Sequence, residues 1–112
     1  MSAPERKSTL VSDVFPLLSQ ELQQLLKEAG EADLISQVSG LRIVDRCRCG
    51  DHFCGSFYTQ PKPEGAYGPS HRNVALPAAK GMLILDVVDG VIAYVEVLHR
   101  NEIREKLLST LP

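Results

Sequence analysis

The chain has 112 residues, 44% hydrophobic and 23% charged, with a formal net charge of −2, the profile of one globular domain able to bury a core of its own. That charge balance excludes a general affinity for nucleic acid, which needs a basic excess or a basic face. No run of about eighteen apolar residues is present, so no membrane span is expected, and residues 1–9 lack the apolar stretch of a secretory signal, which places the chain in the cytoplasm with its three cysteines reduced.

Residues 1–9 read as a flexible tail. A helix is predicted within 12–29, where Leu18, Leu22, Leu25, Leu26 and Ala29 recur at the three- and four-residue spacing of one apolar face. Ser12 or Asp13 is its candidate cap, Pro16 fits its first turn, and Gly30 is a natural left-handed stop. A second, shorter helix is expected over 31–38, with Leu34, Ile35 and Val38 inward.

At Leu41 the period changes from helical to two. Leu41, Ile43, Asp45, Cys47 and Cys49 fall on one side of an extended chain, and Arg42, Val44, Arg46 and Arg48 on the other. Gly50, Asp51 and His52 suit a turn, and 53–59 then reads as the returning strand. Pairing of the two brings Cys49 and Cys54 together across the ladder. Residues 60–72 form a long loop rich in proline and glycine, with Tyr67 at its centre and His71 at its end, followed by a short extended piece at 73–76. The strongest local signal is the pair of apolar runs 82–88 and 91–98 around Asp89-Gly90, which allows positive φ at both central positions of a two-residue turn. Their nearly continuous apolar character predicts central strands covered on both faces, or on one face by a helix and on the other by a partner chain. Ile103, Leu107, Leu108 and Leu111 close the chain as a helix over 101–111, with Asn101 as candidate cap.

The expected fold is therefore α+β: an antiparallel sheet of about four strands, two N-terminal helices and one C-terminal helix, in a single domain.

Chemistry concentrates in one segment. Cys47, Cys49 and Cys54 are all the cysteines of the chain, and His52 lies among them. Thiolates and an imidazole are the donors zinc takes in a tetrahedron, so Cys47, Cys49, Cys54 and His52 form a candidate metal set, with His71 an alternative fourth ligand. The spacing differs from a zinc knuckle, because the first pair is Cys-x-Cys and no second Cys-x-x-Cys follows. A reversible disulfide between Cys49 and Cys54 uses the same atoms, with Arg46 and Arg48 favouring thiolate. Cysteines that merely pack as small apolar groups are the competing structural explanation. Arg42, Arg46 and Arg48, together with Tyr67 and His71, are candidate binding residues for an anionic ligand or an acidic protein surface. No nucleophile turn or phosphate-cradling glycine loop is present, so catalysis would require His52, Asp51 and a residue of 60–72 to meet in one pocket.

At 47–54 and again at 83–98, roughly the second half of the chain, the sequence resembles small uncharacterised bacterial proteins that share a Cys-x-Cys-Gly turn and a hydrophobic hairpin with an Asp-Gly turn. The resemblance implies the fold and a bacterial origin, and no catalytic residues. The leading expectation is a small binding or protein-interaction domain, a homodimer through the 82–98 hairpin or a complex with another protein. The alternative is a metal- or thiol-dependent site, zinc or redox, on the 47–54 turn.

Overall fold

The computed structural model describes residues 9–112, so the expected tail falls, apart from Thr9, outside the described residues. The elements are α1 (Val11–Val14), α2 (Pro16–Glu28), α3 (Ala32–Val38), β1 (Asp45–Arg46), β2 (Phe57–Tyr58), β3 (His71–Leu76), β4 (Met82–Val88), β5 (Val91–Leu98) and α4 (Asn101–Thr110). The fold is α+β, and the sheet has five antiparallel strands in the order β1-β2-β5-β4-β3.

The helix expected over 12–29 is two helices. Phe15, with φ −130° and ψ 69°, separates them. Proline disfavours helical geometry at the residue before it, while its own fixed φ and missing N–H suit a first helical position. Pro16 therefore opens α2, and Phe15 turns its ring against Phe57 at 6.2 Å. Neither Ser12 nor Asp13 is the cap: Leu10 stands before α1 and Phe15 before α2, and neither makes a side-chain capping bond. At α4 Arg100 holds the cap position, and the Asn101 amide donates to Glu105 Oε1 at 3.1 Å. Gly30 is left-handed, with φ 73°, as its position predicts.

The strand expected over 41–49 is divided between two partners. The Val11 amide donates to the Leu41 carbonyl, and the Ile43 amide to that of Thr9. Farther on, the Val44 amide donates to Tyr58 O and the Cys47 amide to Ser56 O. Leu41 and Ile43 enter the core, but Asp45 and Cys47 remain half-buried and Cys49 is exposed. The extended piece after the long loop begins at His71 and supplies the fifth strand.

The hairpin forms at Asp89 and Gly90, with φ 51° and 77°, the geometry a two-residue turn needs to match strand twist. Gln37 of α3 fixes it from outside: its Nε2 donates to Gly90 O at 2.7 Å and its Oε1 accepts the Ile92 amide at 2.9 Å. Within the chain, β4 and β5 are covered by helices on one face, as the second of the two expectations has it. Leu83, Leu85, Val87, Val95 and Val97 are fully buried with Leu22, Leu26, Leu34 and Val38 of the helices. Ile84, Asp86, Val88, Tyr94 and Glu96 lie on the other face, half-buried. The hairpin is also central, paired by β2 and β3, so it offers no open edge; the sheet's edges are β1 and β3. Arg100, 11% exposed at its side chain, joins α4 to α2 through both Glu21 oxygens, at 2.9 and 3.2 Å.

Candidate metal centre

The 47–54 turn hangs from β1 at one end and runs along β5 at the other. Gly50, at φ 80°, reverses it, a conformation that glycine adopts without strain. The Cys54 amide donates back to Asp51 O at 3.1 Å, and Cys54 bridges to Leu98 while the Gly55 amide reaches Val97 O. A β-carbon on Gly55 would stand 3.1 Å from the Arg104 backbone nitrogen, so the absent side chain lets the turn lie against α4.

These constraints bring Cys47, Cys49 and Cys54 together, with all three Sγ atoms within 4.8 Å of one another. Cys47 and Cys54 are half-buried and Cys49 is exposed; none is in a disulfide. The expectation that Cys49 and Cys54 meet across the turn is met, and Cys47 joins them. A small cleft of about 30 Å³ opens here, walled by the turn, by Arg46, and by Arg104, Leu107 and Leu108 of α4.

The thiols differ electrostatically. Burial disfavours the Cys47 thiolate, but the Tyr94 hydroxyl, the Cys49 amide and the Cys49 and Cys54 thiols all hydrogen-bond to it and bring its pKa below the ordinary thiol value. The Asp51 amide favours ionisation of Cys49, yet burial and the neighbouring Cys47 and Cys54 overcome it and push that thiol up to about 11. The arrangement surrounds the Cys47 sulfur with donors that favour its ionised form. Tyr94 is pushed up by burial and by its bond to Cys47. Burial and the negative groups Cys47, Asp45 and Asp86 do the same to Tyr58, whose ring lies 4.6 Å from that of Tyr94. Ser56 completes the surround: Cys54 Sγ donates to its Oγ at 3.3 Å, and that Oγ accepts the Val97 amide at 2.9 Å.

His52 does not belong to the sulfur group. Its ring meets Phe53 edge-on at 5.6 Å, and it lines a separate recess of about 250 Å³ with His99, Arg100 and Asn101. His71 is on β3, with Nε2 2.8 Å from Asp86 Oδ1, which Asn73 also contacts. Tyr67 covers His71, ring to ring at 4.8 Å, and lines a cavity of about 390 Å³ with Pro61, Pro63 and Val91. His52, Asp51 and Tyr67 thus sit in three different recesses. The three arginines reach separate partners. Arg42 reaches Thr9, Arg46 donates to Leu111 O at 2.6 Å and to Cys47 O, and Arg48 pairs with Asp45 at 3.0 Å.

Tyr94 escaped sequence reasoning. Tyr94 sits inside an apolar run, and its meeting with Cys47 depends on the pairing of three strands, in which Tyr58 stands opposite both Asp45 and Tyr94. Comparison with protein-family models, with curated proteins and with solved structures finds no match to this chain.

Proposed function

We propose that this chain is a metal-binding domain whose centre is the three thiols Cys47, Cys49 and Cys54. The observation that carries the reading is the mutual approach of the three sulfurs within 4.8 Å. With metal–sulfur bonds near 2.3 Å, thiolates sharing one ion stand about 3.8–4.0 Å apart. A closure of an ångström or less brings this set to that spacing. The lowered Cys47 pKa supports it, because a ligand must be deprotonated to bind. A reducing compartment such as the cytoplasm would keep the thiols available.

Titration of the reduced, metal-free chain with Cd²⁺ tests the reading through thiolate-to-metal charge-transfer absorption. The expected result is saturation at one ion per chain, and no band when all three cysteines are replaced by serine. A folded wild-type chain without the band would end the proposal.

A homodimer is a separate proposal, supported by Met82 and Val91, apolar residues of the hairpin that are 46% and 43% exposed. Its contact would use a sheet face or the ends of the hairpin, since the hairpin edges are paired. Light scattering that finds only monomer at micromolar concentration would refute it.

A further inference from the structure

Resting on the metal-binding reading, we infer that the resident ion is monovalent copper, held by Cys47, Cys49 and Cys54 in a three-coordinate, all-sulfur shell. Donor type narrows the choice first. Three thiolates and no imidazole select soft ions, chiefly Cu⁺ and Zn²⁺.

Coordination number narrows it further. Zn²⁺ requires a fourth ligand. Among the described residues no histidine or carboxylate has an atom in the sulfur group. His52 lines a recess with Phe53 and His99, and His71 is bonded to Asp86. The hydroxyl of Tyr94 bonds to Cys47, and that of Ser56 is occupied by Cys54 and the Val97 backbone. A dication would then need solvent to complete its tetrahedron. Among the described residues no protein atom supplies that fourth position, so zinc would depend on solvent reaching the exposed Cys49 side of the group, whereas a three-coordinate ion is complete with the sulfurs alone.

Charge points the same way. As the ion enters, the thiols still protonated release their protons to solvent, so three thiolates leave the Cu⁺ complex at −2 and a Zn²⁺ complex at −1. The rim compensates. One carboxylate, Asp45, serves two arginines: Arg48 pairs with it and Arg46 acts on it through space, while the Arg46 guanidinium donates to the carbonyls of Leu111 and Cys47. Arg104 also lines the cleft, against Asp51 as its one carboxylate. The surplus positive charge favours the more anionic complex.

The test loads the full reduced chain with Cu⁺ under anaerobic conditions, in competition with a coloured Cu⁺ chelator, and in parallel with Zn²⁺. X-ray absorption then reads the shell. The expected result is one Cu⁺ per chain with three sulfur neighbours and no nitrogen or oxygen, and displacement of Zn²⁺ by Cu⁺. Cys49→Ser should lower Cu⁺ affinity by more than the roughly 10- to 100-fold that loss of an outer-shell partner costs. His52→Ala should leave affinity and shell unchanged, with circular dichroism verifying that both variants fold. A two-sulfur copper shell, a nitrogen neighbour lost in His52→Ala, or zinc in a three-sulfur, one-oxygen shell that copper fails to displace would overturn the inference while sparing the metal-binding reading. Uptake of neither ion, nor of Cd²⁺, would overturn both.

Discussion

The β4–β5 hairpin and the 47–54 turn meet at β5, yet they are built by different rules. The hairpin is regular, with cross-strand register from Met82–Leu98 to Val88–Val91 and a single shift at Asp86/Val87. Its turn, alternation and burial follow from residues next to one another in sequence. The turn has almost no ladder. It is held by Gly50, by backbone bonds to β5, by the approach of Gly55 to α4 and by side chains from elsewhere in the sheet. A regular core can thus carry an irregular segment whose side chains are arranged for chemistry instead of packing.

The sharpest break of the contrast is in the core beneath both. Phe57 is fully buried, follows Ser56 and stacks on Phe15. Phe57→Ala should cost about 3–5 kcal/mol, measured by denaturant unfolding of the metal-free chain, and should disorder the turn with it. A smaller loss, under about 1 kcal/mol, would mean the two regions are not coupled through β2.

Backbone geometry gives the next effect. A β-carbon on Gly81, at φ 65°, would stand 2.2 Å from Leu98 O. Gly81→Ala should therefore destabilise the entry to β4 by about 1–3 kcal/mol. Thermal unfolding within error of wild type would show that the close approach relaxes freely.

Replacing all three cysteines by serine separates the regions instead. Cys49 is exposed and the others half-buried, and serine at 54 keeps a donor for Ser56. The metal-free variant should change in stability by less than about 1 kcal/mol, while metal uptake is abolished. A larger loss of stability without metal would make the cysteines packing residues.

Legibility divides along the same line. Asp89-Gly90, the leucines of α2 and the terminal helix could be read because spacing and turn chemistry act within a few residues. The split at Phe15 follows from the proline rule, but it lay within a leucine pattern that continues across it. The thiol cluster was half legible: the hairpin prediction brought Cys49 to Cys54, and the residue types named a metal. The place of His52 was not legible, because adjacency in sequence does not set side-chain direction in a tight turn: its ring meets Phe53 and lines a recess apart from the sulfurs. The partners of the arginines were not legible, because the chain changes pairing partner within 41–49.

A finer probe is Tyr94→Phe. Removing the hydroxyl takes away a donor to the Cys47 thiolate, so the Cys47 pKa should rise toward the ordinary thiol value. At a fixed pH the thiolate fraction falls, and alkylation by iodoacetamide slows. An unchanged alkylation profile would mean that the Cys49 and Cys54 donors suffice.

The smallest effect is at the surface. Two hydrogen bonds from Arg72, at 2.9 and 3.1 Å, hold the Glu31 carboxyl below its ordinary value of 4.5. A lowered folded-state pKa adds stability that is complete above the unfolded value and lost as pH falls through the folded one. Arg72→Gln should therefore reduce stability slightly at neutral pH and flatten its decline below about pH 4.5. Parallel acid-unfolding curves for variant and wild type would count against the pair.

The most direct test of the central claim is elemental analysis of the purified chain by inductively coupled plasma mass spectrometry, with free thiols counted in the same sample before and after chelation. The account predicts one soft metal ion per chain and three thiols that become reactive only when the ion is removed. Metal-free protein with three freely titrating thiols, unable to take up an ion when one is supplied, would contradict it.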